Sequence, residues 1–230
     1  MRLSVIIPCY NDAAALRDCV ARLVKHSPDV EIIVADASDT PECFELAESL
    51  GAAAVHCSQR GRGPQMNAGA AVATGEILIF NHCDTTLEIR HLDAIRQCLR
   101  FGHPPTLAGA FYKSTPHHYP ILAWAHSFIR FWVREWGVIY GDQTMFFRRD
   151  HFQKLGGFPA IPLMEDVAMS QIMRAAGGLQ FLDPPVETSL RRFQRLGYLR
   201  TRLLNFLLVW LFKLGVPAEK LYRWYYGRRD

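Results

Sequence analysis

The feature that most constrains this chain is the rhythm of its first hundred residues, where short apolar runs alternate with helical patterns. The run Leu3-Ser4-Val5-Ile6-Ile7-Pro8 predicts a buried strand that stops at proline. A helix over 12–26 follows, with Asn11 or Asp12 as N-cap and Leu16, Val20, Leu23 and Val24 on one face. The same alternation predicts strands over 30–36, 53–57 and 76–80 and helices over 41–50, 64–73 and 88–100. Pro41 suits a first helical turn and Gly51 a C-terminal cap. Strands that are apolar on both faces belong to a parallel sheet covered by helices on both sides. The expected fold class is therefore α/β, with a Rossmann-like, mostly parallel central sheet. Ligands of such sheets bind beyond the carboxyl ends of the strands. Asn11, Asp36, Arg60 and Asp84 all fall just after predicted strands. Each alone is explained as a cap or turn residue; four on one edge read as a site.

The second half is less regular. It predicts strands over 106–113 and at Thr144-Met145-Phe146-Phe147, and an aromatic helix over 119–136. A helix over 165–176 opens on two carboxylates, and two terminal helices cover 196–213 and 217–226. With 230 residues, 50% of them hydrophobic and 21% charged, one domain with an appendage is expected. The net charge of +4 is too small to imply nucleic acid as a partner. Its distribution says more, since residues 190–230 hold ten basic and two acidic residues.

The six cysteines at 9, 19, 43, 57, 83 and 98 all lie in the first half. They contain no Cys-x-x-Cys pair, which argues against a structural zinc site. Several sit inside apolar runs, so buried free thiols in a reducing, cytoplasmic compartment are expected. The apolar start is too short for a signal peptide, and no uncharged apolar window reaches the length of a membrane span.

The glycine-rich phosphate loops of kinases and dehydrogenases are missing: Gly61-Arg62-Gly63 leads into Pro64-Gln65-Met66-Asn67 without a third glycine. What remains is a set of polar strand ends. A carboxylate such as Asp36 can accept from a base or ribose, and Arg60 and Arg62 can hold a phosphate in bidentate geometry. Asp84 can hold a hard divalent cation bridging a diphosphate.

In this order and spacing, five blocks resemble the family 2 inverting glycosyltransferases of the GT-A fold. They are Val5-Ile6-Ile7-Pro8-Cys9-Tyr10-Asn11, Ile32-Ile33-Val34-Ala35-Asp36-Ala37-Ser38, the Gly61–Gly69 segment, Asn81-His82-Cys83-Asp84-Thr85, and Gly156-Gly157-Phe158 followed by Glu165-Asp166. The blocks Gly141-Asp142-Gln143 and Leu163-Met164-Glu165-Asp166 look like a bacterial subgroup. The resemblance implies a nucleotide-diphosphate sugar, with UDP the expected nucleotide, lying across residues 1–100. Asp36 would contact the base, Pro8 and Asn11 would wall the nucleotide, and Arg60, Arg62 and Asn67 would join the donor contacts. The family's Asp-x-Asp motif is here His82-Cys83-Asp84, so Asp84 is the expected ligand of Mg2+ or Mn2+, with His82 on the ribose or the cation.

Residues 101–190 would form the acceptor half. Spacing alone reads Glu165 and Asp166 as first-turn carboxylates favoured by the helix dipole. The resemblance makes Asp166 the general base that deprotonates a hydroxyl acceptor, with Glu165, Gly141, Asp142 and Gln143 beside the acceptor. Two rivals are a non-catalytic nucleotide-sugar-binding scaffold, suggested by the altered Asp-x-Asp motif, and a nucleotidyltransferase. The latter should show a Gly-rich loop where the chain has Cys9-Tyr10-Asn11-Asp12.

The tail over 191–230 leaves two readings open. Its apolar run, Leu203 to Phe212, either packs on the catalytic domain or a second subunit of a homodimer, or lies in the interface at the inner face of the plasma membrane. The second would suit a lipid-linked acceptor.

Overall fold

The computed structural model describes residues 1–102, 106–114, 130–131, 138–189 and 198–227. The aromatic helix expected over 119–136 lies largely outside them, as do residues 190–197. The four amino-terminal strands form as expected: β1 (Leu3–Cys9), β2 (Glu31–Asp36), β3 (Ala53–His56) and β4 (Ile77–Phe80). Helices α1 (Ala13–His26), α2 (Glu42–Ser49) and α3 (Arg62–Val72) connect them. The Asp12 side chain caps α1 by accepting from the Ala15 N–H at 3.1 Å, and Gly51 turns the chain after α2 at φ +84°. Pairing is parallel from β3 through β2 and β1 to β4.

The pleat divides β1 between two cores. Val5 and Ile7 join Leu16, Val20 and Leu23 of α1 and Leu92, Ile95 and Leu99 of α4 (Ile89–Phe101). Ile6 faces the other way, with Met66 of α3, Phe152 of α5 (Arg149–Lys154) and Met169 and Met173 of α6 (Glu165–Ala176). Both faces of the sheet are thus covered, as its near-continuous apolar strands require.

Beyond β4 the sheet departs from a simple parallel repeat. The order is β3-β2-β1-β4-β7-β6-β8-β5, with β5 Thr85–Thr86, β6 Ala108–Lys113, β7 Met145–Arg148 and β8 Leu179–Thr188. β7 runs antiparallel to β4, with Phe80 opposite Met145. That reversal decides the site: the residues entering β7, Gly141–Thr144, arrive beside those leaving β4, His82–Asp84. β6 and β8 continue the sheet as a parallel pair.

The described part of the tail forms α7 (Tyr198–Lys213) and α8 (Ala218–Tyr226). Leu208, Val209 and Leu221 pack against Met164 and Val167 at the start of α6. One side of α7 is therefore part of the folded body. The other leaves Leu203, Phe206, Leu207 and Trp210 exposed. No helix among the described residues is long and apolar enough to cross a membrane.

Candidate active site

The carboxyl ends of β1, β2 and β4 carry the residues expected on the donor side. Asp36, 1% exposed, ends β2 opposite Cys9. Its carboxylate accepts from the Ser38 N–H at 3.0 Å and from the Ser38 hydroxyl. Asn11, in the left-handed region at φ 51°, donates its N–H to Ser38 Oγ at 2.8 Å. Its amide clasps Asp39 at 2.7 and 3.0 Å. Tyr10 Oη donates to the same carboxylate at 3.0 Å, Arg60 ion-pairs with it, and the Arg60 guanidinium lies 5.0 Å from the Tyr10 ring centre. Hydrogen bonds from Asn11 and then Tyr10 hold the Asp39 pKa below its ordinary value. Pro8 stands one residue before the end of β1, and its carbonyl accepts from the Cys83 thiol at 3.5 Å. Tyr10 was not among the expected contact residues, and Asp39 drew notice only as part of the turn that follows Asp36.

The turn after β4 is built by a buried amide. Asn81 donates to the carbonyls of His82 and Thr85 at 3.0 and 3.1 Å and accepts from the Thr144 hydroxyl at 2.8 Å. That bond ties the end of β4 to the entry of β7. His82 then packs onto Gly141. A Cβ at Gly141 would lie 2.7 Å from both Cε1 and Nε2 of His82 and 3.6 Å from Asp166 Oδ2. Only glycine allows this approach. The Gly141 N–H donates to Asp166 Oδ2 at 2.7 Å, while the Val167 N–H donates to Oδ1 at 2.7 Å. Thus one glycine joins the Asp-x-Asp-like turn to the carboxylate expected to act as base.

Charges crowd this junction. Arg62, opening α3, is half-exposed and stands 4.0 Å from Glu165 Oε1. Burial opposes its charge, but Glu165, Tyr226, Asp166 and Asp84 together raise its pKa. Burial, followed by the Asp166 charge, pushes Glu165 up to about 7. Burial also raises Asp166, against the bond from Gly141. Asp84 is exposed, yet the protein packed around its carboxyl and then the Asp142 charge raise its pKa as well. Burial and the Arg62 charge push His82 down to about 3, so its imidazole is neutral. Asp142 ion-pairs with Lys113 at the end of β6, a cation that sequence reasoning did not single out.

Two further expected contact residues are engaged by the protein itself, as Asn11, Asp36 and Arg60 are by Asp39 and Ser38. The Asn67 amide donates to the Phe158 carbonyl and accepts from the Phe158 N–H, both at 2.8 Å. It thereby braces α3 against the loop before α6. Gln143 donates to the Phe111 carbonyl at 2.9 Å and accepts from the Tyr140 N–H at 3.0 Å, fixing the 3-10 turn that carries Gly141 and Asp142. Gln65, also unforeseen, donates to the carbonyls of Cys9 and Ala35 at 2.6 and 2.9 Å and locks the ends of β1 and β2 together.

The sequence profile of glycosyl transferase family 2 matches residues 4–156. The chain belongs to glycosyl transferase family 2. The glycosyltransferase class expected from the strand-end motifs is the one this match supplies. Glycosyltransferase AglD of Haloferax volcanii is 26% identical over 122 residues, covering 48% of this chain and 20% of that protein. This chain thus spans about a fifth of that relative's length. The solved mannosyltransferase of Pyrobaculum calidifontis, in complex with GDP-Man and Mn2+, superposes with a TM-score of 0.65. The identity is 20%, over 94% of this chain and 65% of that one. Glucosyl-3-phosphoglycerate synthase of Mycobacterium tuberculosis, solved with Mn2+, UDP and glucosyl-3-phosphoglycerate, gives 0.65 at 17% identity. That match covers 94% of this chain and 81% of the other. These likenesses establish the GT-A fold for this family 2 chain.

Proposed function

We propose that this family 2 chain is an inverting glycosyltransferase that moves a sugar from a nucleotide-diphosphate donor, UDP being the nucleotide of first choice, to a hydroxyl acceptor. The observation that carries the reading is the Gly141 junction, which sets Asp166 against His82 and the strand end bearing Asp84. Asp166 serves as general base. Each of its oxygens accepts one backbone N–H and keeps a lone pair for an incoming hydroxyl. The base takes the acceptor's proton as that oxygen attacks the anomeric carbon. The bond from that carbon to the diphosphate breaks on the opposite face, which inverts the centre. Arg62 stands at the same junction to meet the diphosphate. Asp36 and Asn11, with Pro8, receive the nucleoside, and Arg60 is poised over Tyr10 at its edge. Glu165 and Asp142 flank the acceptor.

The residues fit a divalent cation. Among the described residues, His82 Nε2 and Asp142 Oδ1 are buried side-chain atoms without a hydrogen-bond partner, and the neutral imidazole offers a lone pair beside Asp84. Asp84, with His82, would hold Mg2+ or Mn2+. When bound, the cation neutralises charge that develops on the leaving diphosphate.

The exposed side of α7, with Leu203, Phe206, Leu207 and Trp210, supports a peripheral seat on an anionic membrane surface and a lipid-linked acceptor.

Thermal melting with UDP, GDP, CDP or dTDP, each with and without Mn2+ or Mg2+, tests the donor reading. A selective rise with one nucleotide that grows with the cation is expected, because a ligand of the folded state stabilises by mass action. Absence of a shift with every pair, together with no donor turnover, overturns it.

A further inference from the structure

Three cysteines that the reaction above does not use come together at the carboxyl ends of β1, β2 and β4. Cys9 ends β1 and is paired in register with Asp36 at the end of β2. α2 brings Cys43 to the same point. The Cys9 and Cys43 sulfurs and an Asp36 carboxylate oxygen all lie within 4.8 Å of one another. All three residues are buried, at 2%, 2% and 1% exposure. Cys83, from the turn after β4, comes alongside the same strand end, its thiol donating to the carbonyl of Pro8, the residue before Cys9, at 3.5 Å.

We propose that Cys9, Asp36 and Cys43 form a site for a thiophilic divalent cation of the Zn2+ class, with Cys83 as fourth donor, and that filling it withdraws Asp36 from the donor nucleotide. The last clause rests on the donor reading given above. Three sulfurs and one carboxylate make four donors of the kinds zinc takes in a tetrahedral site. Zinc bonds of about 2.3 Å to sulfur and 2.0–2.2 Å to oxygen place neighbouring ligand atoms roughly 3.5–3.8 Å apart. Side-chain shifts of about an ångström reach that spacing from the observed one. Soft thiolates select this class of ion, whereas the oxygen-rich position at Asp84 suits Mg2+ or Mn2+. The site leaves no Cys-x-x-Cys trace because its donors come from the ends of two strands, a helix and a turn. Cys19 and Cys57 pack nearby as ordinary buried thiols. An ion bound by Asp36 occupies the carboxylate that would otherwise accept from the base.

The test uses the reduced full-length chain and Cd2+ or Zn2+ in equilibrium dialysis. It adds the near-ultraviolet sulfur-to-Cd2+ charge-transfer band and mass mapping of which cysteines the ion shields from alkylation. One ion per chain, the band, and protection of Cys9, Cys43 and Cys83 are expected, undiminished by excess Mg2+. Cys43→Ser should lose the band and keep nucleotide binding. No stoichiometric binding, or protection of other cysteines instead, overturns the site. Alkylation is mapped on the wild-type chain, so the result does not depend on a variant that folds. Saturating Zn2+ should weaken UDP binding at least about tenfold, and UDP should weaken Zn2+ binding by the same factor. Metal binding with UDP affinity unmoved overturns the coupling to the donor. No UDP binding to the Zn2+-free chain in the presence of Mg2+ refutes the donor reading instead, and the charge-transfer band is unaffected by that failure.

Discussion

Replacing Asp166 by asparagine tests the base assignment at the atom where it is made. Both carboxylate oxygens accept backbone N–H bonds at 2.7 Å, from Gly141 and from Val167. The amide has one acceptor oxygen, so its NH2 must face the other N–H. One bond is lost and two donors oppose each other, at a cost of about 1–3 kcal/mol. Neutralising the group offsets part of this, because burial raises the Asp166 pKa and so disfavours its charge. The net fall in stability should stay below about 2 kcal/mol, or roughly 4–8 °C in melting temperature for a chain of this size. Removing a general base lowers the rate about 10²–10⁴-fold, equivalent to roughly 3–5.5 kcal/mol of barrier. The two effects therefore separate: the protein stays folded at the assay temperature while turnover collapses. Diphosphate release with the preferred donor reads kcat, and calorimetric titration reads nucleotide affinity, which should stay within about threefold of wild type. A folded Asp166→Asn protein with near-normal kcat refutes the assignment. Lost nucleotide affinity with unchanged kcat moves Asp166 to the donor side.

Other outcomes follow from the same geometry. Gly141→Ala would set a methyl 2.7 Å from the His82 ring; we expect about 1–3 kcal/mol of destabilisation and a large rate loss, read by urea unfolding and turnover, and a silent substitution would disprove the close junction. Asn67→Ala strands both backbone groups of the buried Phe158 and should lower stability by about 1–3 kcal/mol, with no effect counting against the brace. Glu165, raised from 4.5 to about 7, holds its proton to higher pH folded than unfolded. Its favourable contribution is complete below pH 4.5 and lost as pH rises through about 7. Stability relative to Glu165→Gln should fall by up to roughly 3 kcal/mol between those pH values, and parallel pH curves for the two proteins would contradict the shift. Leu203→Ser with Trp210→Ser should leave melting unchanged and reduce co-sedimentation with anionic vesicles, whereas Leu208→Asp should destabilise the fold; equal vesicle binding by the double variant rejects the membrane seat.

Local pattern alone carried the amino-terminal half. The apolar runs of β1 to β4 must be buried on both faces, and that condition sets a helix-covered parallel sheet with Asn11, Asp36 and Asp84 at one edge. It also showed that Glu165 and Asp166 open a helix. Local pattern showed that the run Leu203 to Phe212 in the basic tail is apolar nearly all round; tertiary packing decided that Leu208 and Val209 turn inward while Leu203 and Trp210 stay outside. Strand direction is not written in Met145-Phe146-Phe147-Arg148, because a short apolar strand reads alike in either sense. Only pairing with β4 reversed it and brought Gly141 to His82 and Asp166. The ten-residue β8 was hidden because Asp183-Pro184-Pro185 reads as a break, yet its pairing with β6 holds it as an extended strand. The sequence could nominate Asn67 and Gln143 as polar and near the site. It could not show that backbone groups up to 91 residues away satisfy their amides, because hydrogen-bond partners are chosen by distance in space and not along the chain.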